Sequence, residues 1–347
     1  MRQMETVFTS KLESLLDAVA EKLPLYVPSR NGEHFTYSIY DAPGKCSVEF
    51  NAIRPCMPVK EFLFPVRELA ATYPKELEGG DIKPFAVFGL KECDLRSIVI
   101  LDKVFAEDDF EDQLYLKRRE AMFIISSDCS EAGESCFCNV FAGKGFAGEG
   151  FDLNVSKVKD GFIIESGSQK GEDFLTEHSS IFGEVPDGLL SDREANRTAV
   201  QSQLEKNNEN LKPNTSMKQV VEAGCENDVF DREAKNCIEC QACTRVCPTC
   251  HCFYLYDTQK DDYFAKMKMW DSCMRLSYAT VAGGANPNKV LGDRLKHRLL
   301  HKFVHFFDRY GLDMCVGCGR CVDADAGGID IREILKELEC KLGQEAK

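Results

Sequence analysis

The chain has no hydrophobic run long enough to cross a membrane. Its longest apolar stretches, such as Phe85–Leu90 and Ile98–Leu101, fall far short of the about 20 residues that a spanning helix needs. The first residues mix charged and apolar side chains without a continuous apolar segment, unlike a secretory signal. We therefore expect a cytoplasmic protein in a reducing compartment, with no direct membrane insertion.

Basic residues are also in short supply. Lys and Arg total 43 against 57 Asp and Glu, which gives a net charge of −14. Because nucleic-acid binding depends on basic residues that neutralise phosphates, this balance argues against a nucleic-acid partner. The sequence shows no catalytic triad, Gly-Lys-Ser/Thr phosphate loop or dinucleotide fingerprint, so we assign no catalytic residue. Whether the chain is itself an enzyme stays open, and a non-catalytic subunit is the expectation.

Cysteine, by contrast, is abundant, with 18 residues that cluster at short fixed spacings instead of being scattered as in a disulfide framework. In the first run, Cys237, Cys240, Cys243 and Cys247 follow the x2, x2, x3 spacing of a cubane iron–sulfur motif, and Pro248 follows the last thiol. A zinc ribbon would need pairs of ligands separated by longer gaps. The run therefore predicts a [4Fe-4S] cluster.

A second run, Cys315-x2-Cys318-x2-Cys321, starts on the same template, but its fourth position is Asp325, followed by Ala326 instead of proline. In two-cluster proteins the fourth cysteine of each run ligates the cluster of the other run. Cluster 2 is therefore expected to be complete, with four thiolate ligands: Cys247, Cys315, Cys318 and Cys321.

Cluster 1, on Cys237, Cys240 and Cys243, has no cysteine at the expected fourth position. Three solutions are open at this point. Asp325 binds through its carboxylate, a harder ligand that makes the iron more labile; or a spare thiol replaces it; or the site is a three-iron or open cluster. The candidate spare thiols, which can equally be small buried apolar residues, are Cys250, Cys252 and Cys273.

A third set of cysteines lies in the first half of the chain. Two of its members follow predicted strands, where α/β sheets present their sites. From spacing alone, both a metal site and unrelated buried thiols are compatible with this set, which consists of Cys93, Cys129, Cys136 and Cys138.

Hydrophobic periodicity predicts an α+β protein. An amphipathic helix over residues 1–23, a strand over 84–90, a helix over 91–105, a strand over 122–126 and a hairpin over 151–166 indicate a mixed α/β domain. The domain limits expected from composition are 1–190 for this domain, 191–224 for a polar linker with a helix, and 225–347 for a helical two-cluster ferredoxin domain. The segment between the two cysteine runs is expected to be mostly helical.

Short motifs spread along the chain resemble the β-subunit family of cytoplasmic sulfhydrogenases, over about residues 55–335. Related to that family are the iron–sulfur subunit of anaerobic sulfite reductase and the ferredoxin-like subunits of flavin oxidoreductases that work with heterodisulfide reductase. The motifs are Pro58–Val66, Cys93-Asp94-Leu95, Tyr115 with Arg118-Arg119, Cys136-Phe137-Cys138, Cys247-Pro248-Thr249-Cys250, Trp270-Asp271-Ser272-Cys273, Ala282-Gly283-Gly284, His301-Lys302 and Cys315–Cys321.

The resemblance implies an electron-transfer subunit of an anaerobic oxidoreductase complex. Such a subunit passes electrons between a flavin-containing subunit, which handles NAD(P)H or ferredoxin, and a separate catalytic subunit of the hydrogenase, heterodisulfide reductase or sulfite reductase type. The resemblance also favours a third [4Fe-4S] cluster, cluster 3, on Cys93, Cys129, Cys136 and Cys138. Asp325 departs from the family's usual Cys-Pro, so an alternative function is a catalytic subunit that uses this irregular cluster as its substrate site.

Overall fold

The computed structural model describes residues 5–41, 48–50, 53–74, 82–107, 111–211, 213–260 and 262–345. Its strands are β1 (Thr6–Thr9), β2 (Leu25–Asn31), β3 (His34–Ile39), β4 (Arg67–Tyr73), β5 (Phe85–Leu90), β6 (Met122–Ser127), β7 (Leu153–Val158), β8 (Gly161–Ser166), β9 (Phe253–Lys260) and β10 (Tyr263–Trp270).

Its α-helices are α1 (Leu12–Ala20), α2 (Lys60–Leu63), α3 (Glu92–Phe105), α4 (Gln113–Ala121), α5 (Gln169–Glu177), α6 (Leu189–Asn207), α7 (Met217–Ala223), α8 (Val229–Ala234), α9 (Ala242–Arg245), α10 (Leu291–Leu300), α11 (Phe306–Tyr310), α12 (Arg320–Asp323) and α13 (Ile331–Glu345). Short 3₁₀ segments cover Cys138–Phe141 and Ser179–Ile181, and a π-helical segment, His301–His305, joins α10 to α11. None of the helices in the described ranges has both the length and the apolar composition of a membrane span.

The chain folds into two compact units. The N-terminal unit consists of Met1–Val59 and Ile82–Asn207, and the C-terminal unit of Lys60–Asp81 and Asn208–Lys347. These units differ from the expected domain limits in two places. Helix α6 completes the N-terminal unit instead of standing in a linker, and residues 60–81 belong to the C-terminal unit although they lie early in the sequence.

A seven-stranded sheet in the order β1-β8-β7-β6-β5-β2-β3 forms the frame of the N-terminal unit. Its central strands β2, β5, β6 and β7 are parallel, and antiparallel strands close both edges. The predicted β5, α3, β6 and β7–β8 hairpin are all present. Because β5 and β6 are parallel neighbours, the residues that follow them meet at one edge of the sheet.

The N-terminal segment is a correction to the expected helix over residues 1–23. Thr6–Thr9 forms strand β1, which pairs antiparallel with β8, and the helix starts only at Leu12. The physical reason is that Thr6, Val7 and Thr9 are β-branched and fit an edge strand. The predicted apolar stripe of α1 is confirmed, since Leu12, Leu15, Leu16 and Val19 are buried in the core of the unit.

The C-terminal unit surrounds its cysteine loops with short helices and adds a three-stranded antiparallel sheet, β4-β10-β9. The expectation of a mostly helical segment between the cysteine runs is therefore wrong for residues 253–270. These residues are rich in aromatic and alternating side chains, which favour a hairpin. Strand β4 pairs with β10, and Trp270 Nε1 donates to the Phe64 carbonyl at 2.9 Å, which anchors residues 60–81 in this unit.

Candidate iron–sulfur sites

The two cysteine runs have the same backbone turns. In the second run, Gly317 and Gly319 have φ of 64° and 75°, and in the first run the equivalent positions, Glu239 and Gln241, have φ of 56° and 64°. Left-handed backbone is easy for glycine but unfavourable for residues with a Cβ, so the first loop keeps these turns at a cost in strain at Glu239 and Gln241. Each loop leads into a short helix that contains the third thiol of its run. Helix α9 contains Cys243, and α12 contains Cys321.

The structure brings together cysteines of the two runs that the spacing predicts as ligands of cluster 2. Cys247, Cys315 and Cys318 are buried. Burial raises the pKa of the Cys315 thiol to about 12, to which negative charge on Cys321 and Cys247 also contributes, while Lys302 lowers it. These mutual effects place thiols of both runs together around one position.

Cluster 1 brings Asp325 to the first run. Burial raises the pKa of the Cys243 thiol to about 11, with contributions in the same direction from Cys321, Asp325 and Cys237, while Arg298 lowers it. Asp325 therefore lies close enough to Cys243 to act on its charge. Cys240, in contrast, is exposed.

The turn that carries Asp325 is fixed in place. Its Oδ1 accepts hydrogen bonds from the backbone N–H groups of Gly327 at 2.9 Å and Ile329 at 3.3 Å. A Cβ on Gly327 would come within 2.2 Å of the carbonyl oxygen of Asn236, the residue before Cys237. The Asp325 turn thus packs directly on the chain that enters the first cysteine run, and only glycine fits at the contact.

Each of the three spare thiols has a thiol partner: Cys250 is hydrogen-bonded to Cys247, and Cys252 to Cys273. A hydrogen bond with Cys250 lowers the pKa of Cys247, and the same contact raises that of Cys250. A hydrogen bond with Cys273 lowers the pKa of Cys252 to about 7, and Cys273 also feels the charge of Cys243. Cys273 is therefore a spare thiol that lies near cluster 1, while Cys250 is bonded to a predicted ligand of cluster 2.

Three of the four cysteines predicted for cluster 3 converge in the N-terminal unit. Cys129, Cys136 and Cys138 pack together against Val200 and Leu204 of α6. Burial raises the pKa of Cys129 to about 12, with a contribution from the charge of Cys136; burial also raises the pKa of Cys138, and there Cys129 and Cys136 add to the effect.

Cys93 lies in the first turn of α3, next to Glu92, whose carboxylate ties this turn to the cysteine loop. Glu92 Oε2 accepts from the N–H groups of Lys144 at 2.6 Å and Gly145 at 2.8 Å, and the Gly145 carbonyl accepts from the Cys129 N–H at 2.8 Å. These contacts keep Cys93 at the same edge of the sheet as Cys129. The two cysteines follow the parallel neighbouring strands β5 and β6, whose carboxyl ends meet at that edge.

Two arginines face the cysteines of cluster 3. Arg54 Nη1 donates to Cys136 Sγ at 2.9 Å, and its Nη2 bonds to Ser135. Arg96 Nη1 is buried, has no hydrogen-bond partner within the described ranges, and lies 3.1 Å from where a Cβ on Gly143 would be. These guanidinium groups bring positive charge beside the thiols, which fits an anionic cluster between them.

The C-terminal unit carries a second group of buried cations, which the sequence reasoning missed. Arg294, Arg298 and Lys302 follow one another at intervals of four residues on one side of the long helix, and Lys60 comes from α2; all four are at most 5% exposed. Arg298 Nη2 donates to the Cys243 carbonyl at 3.2 Å, and Lys302 Nζ lies 3.5 Å from Cys247 Sγ. The signal in the sequence is the spacing of these basic residues at i, i+4 and i+8, which places them on one face of a helix.

The donor sets fit iron–sulfur clusters. Structural zinc sites bring four ligands around one ion, and in the described ranges no group of three or more His, Cys, Asp or Glu side chains is arranged to hold a single metal ion. Cubane clusters instead take four thiolates. Cluster 2 has such a set, and cations surround it.

Two comparisons agree with this geometry. Residues 236–329, which include both cysteine runs, match the family model of a 4Fe-4S dicluster domain. Over 323 residues, 90% of this chain and 92% of the relative, the sequence is 30% identical to sulfhydrogenase 2 subunit beta of Pyrococcus furiosus. The dicluster match implies two [4Fe-4S] clusters. Together with the mixed helices and strands of the structure, it also confirms the predicted α+β fold class.

Proposed function

This chain belongs to the family of sulfhydrogenase β subunits, and on that premise we propose that it is the iron–sulfur electron-transfer subunit of a cytoplasmic oxidoreductase complex of the hydrogenase type. Its partners in this proposal are a flavin-containing subunit that exchanges electrons with NAD(P)H or ferredoxin, and a separate catalytic subunit.

The observation that carries the proposal is the pair of matched cysteine loops. Their backbone turns are equivalent, and the charges of Cys243 in one loop and Cys321 in the other act on each other. When bound, iron–sulfur clusters supply one-electron carriers. The residues of this chain hold two such carriers side by side, keep cluster 2 away from water and leave Cys240 of cluster 1 exposed, where a partner can approach.

Within this proposal Asp325 is the fourth ligand of cluster 1. Its turn packs on the chain before Cys237, and its charge acts on Cys243. Cys273 is the alternative, because it also lies near Cys243. We further propose that Cys93, Cys129, Cys136 and Cys138 hold cluster 3, which the facing guanidinium groups of Arg54 and Arg96 support.

The carboxylate at the expected fourth position of cluster 1 favours a second candidate function, in which the iron at Asp325 binds substrate directly. The variant Asp325→Cys separates the two candidates. An electron carrier keeps turnover within its complex and shows a changed cluster potential, whereas a substrate-binding iron loses turnover when a fourth thiolate closes it.

Anaerobic purification of the native complex tests the main proposal. We expect flavin-containing and catalytic subunits to co-purify, and the chain to hold roughly eight iron and eight sulfide atoms for two clusters or about twelve of each for three. Dithionite should reduce the clusters. The variant Cys237→Ser should lose iron, while the matched control Cys340→Ser, an exposed cysteine outside all three sites, should not. A chain that carries zinc and no sulfide would refute the proposal.

A further inference from the structure

We propose that Lys302 raises the reduction potential of cluster 2, so that cluster 2 accepts an electron before cluster 1. This inference rests on the proposed electron-transfer function, and it concerns how this chain orders its two carriers. Lys302 is a positioning and charge-setting residue in this scheme, not a ligand.

Lys302 lies in the π-helical segment between α10 and α11, where the helix faces the first cysteine run. Its Nζ is 3.5 Å from Cys247 Sγ and donates to Thr249 Oγ1 at 3.0 Å. Thr249 Oγ1 is itself 3.2 Å from the same sulfur. One ammonium group and one hydroxyl therefore converge on the ligand sulfur that the first run contributes to cluster 2.

No carboxylate balances this charge. Lys302 is 2% exposed, and within the described ranges no Asp or Glu oxygen lies within 4.0 Å of its Nζ. The Cys247 sulfur, 3.5 Å from Lys302 Nζ, is the neighbouring group that supplies the opposite charge. The countercharge of Lys302 is thus the thiolate set of cluster 2.

The consequence for the potential follows from charge. Reduction adds one negative charge to the cluster, and a buried cation beside a ligand sulfur stabilises the reduced form more than the oxidised form. Hydrogen bonds to cluster sulfurs and low solvent exposure are established controls of iron–sulfur potentials. Removing the Lys302 ammonium should therefore lower the potential of cluster 2.

A second buried lysine, Lys60 of helix α2, also lies beside the first cysteine run. Lys60 Nζ donates to the carbonyls of Thr244 at 3.0 Å and Cys250 at 2.9 Å and lies 4.2 Å from the centre of the Trp270 ring. Burial lowers the pKa of Lys60, while the charges of Cys250 and Cys247 act in the opposite direction. Lys60 therefore adds to the positive potential around cluster 2.

Cluster 1 has a different environment. Cys240 is exposed, so water screens charges there, and Asp325 brings a carboxylate to this side. Arg298 acts on thiols of both clusters, including Cys243 and Cys247, and so does not distinguish them. The two lysines are what make the pair of clusters unequal.

The test is a redox titration of the full-length chain, followed by electron paramagnetic resonance (EPR). At a potential equal to the wild-type midpoint of cluster 2, Lys302→Met should lower the ratio of reduced to oxidised cluster 2 by about tenfold or more. A tenfold change in this ratio corresponds to a midpoint potential that is lower by about 59 mV for a one-electron couple. Lys302→Gln, which keeps a donor without the charge, should give a smaller change. The matched control Lys296→Met removes a more exposed lysine of the same helix, paired with Glu226, and should change the ratio less than about twofold because water screens it.

An unchanged midpoint in Lys302→Met, with iron content and EPR intensity equal to those of wild type, would overturn the inference and leave the electron-transfer function standing. If that variant fails to assemble cluster 2, Lys60→Met takes its place and should shift the midpoint in the same direction. An unshifted midpoint in Lys60→Met or Lys302→Gln would likewise overturn it. A wild-type chain without [4Fe-4S] signals would instead refute the proposed function itself.

Discussion

Substitutions at Asp325 separate its role as a ligand from its role in the local turn. Asp325 Oδ1 accepts two backbone hydrogen bonds, from Gly327 and Ile329. Asp325→Asn keeps a carbonyl acceptor for both bonds but removes the anionic ligand. Asp325→Cys removes the acceptor and supplies a thiolate, and Asp325→Ala removes both.

The structure sets the size of each effect. Hydrogen bonds to a charged acceptor contribute about 1.5–3 kcal/mol each, and since the Asp325 turn is half-buried and water can replace part of them, the loss of both should cost about 2–3 kcal/mol. Asp325→Ala and Asp325→Cys should therefore melt at lower temperature than wild type, by roughly 5–10 °C at the usual 2–4 °C per kcal/mol. Asp325→Asn should melt within a few degrees of wild type.

Iron binding should follow a different order. Wild type should give up one iron of cluster 1 to a chelator or on oxidation, because a carboxylate is a hard ligand for this metal site. Asp325→Asn and Asp325→Ala should already lack it, with about seven irons in place of eight in the two clusters of the C-terminal unit and a three-iron EPR signal. Asp325→Cys should hold all of its iron most firmly.

The assays are iron per chain, EPR of the oxidised protein and anaerobic thermal melts, with the exposed Asp323→Ala as a control for loss of one carboxylate in the same loop. Equal iron content and equal chelator resistance in wild type, Asp325→Asn and Asp325→Cys would refute Asp325 as a ligand. In that case Cys273→Ser should produce the three-iron form instead.

Two further predictions concern cluster 3 and the sheet of the C-terminal unit. Cys129→Ser should remove about four irons per chain, whereas Cys225→Ser, outside the three sites, should remove none; equal iron in both would contradict a third cluster. Lys268→Met should cost about 3–5 kcal/mol in anaerobic melts because it removes the buried cation that pairs with the buried Glu68 carboxylate, while Lys268→Met with Glu68→Leu should recover most of that loss. A double variant as unstable as the single one would show that the pair itself is not what matters.

Local patterns in the sequence were enough to predict the cysteine runs and the elements around cluster 3. The x2, x2, x3 spacing fixes how three thiols leave one tight loop, whatever the rest of the chain does. Short apolar runs in the sequence predict strands β5 and β6. Because the carboxyl ends of parallel neighbouring strands meet at one edge of a sheet, Cys93 and Cys129, which follow these strands, are expected at the same edge. The sequence does not separate strand β1 from helix α1, because the four residues Thr6–Thr9 lie just before the amphipathic segment.

Non-local pairing was beyond the reach of these patterns. Nothing within residues 60–81 indicates that β4 pairs with a strand about 200 residues later, or that Lys60 meets the carbonyls of Thr244 and Cys250. Residues 253–270 form a hairpin instead of the expected helix, because each strand is stabilised by pairing with its neighbour. Strand pairing and burial are set by partners distant in sequence, and single-segment periodicity does not contain them.

The sequence alone predicts two cubane clusters, four thiol ligands for cluster 2 and an irregular fourth ligand for cluster 1, because ligand spacing is a local property of a loop. Only the tertiary structure decided that the Asp325 turn packs against the first run and that Lys302 and Lys60 are buried beside cluster 2. The physical reason is that burial and the distance between charges depend on how distant segments pack together, and these set the electrostatic environment of each cluster.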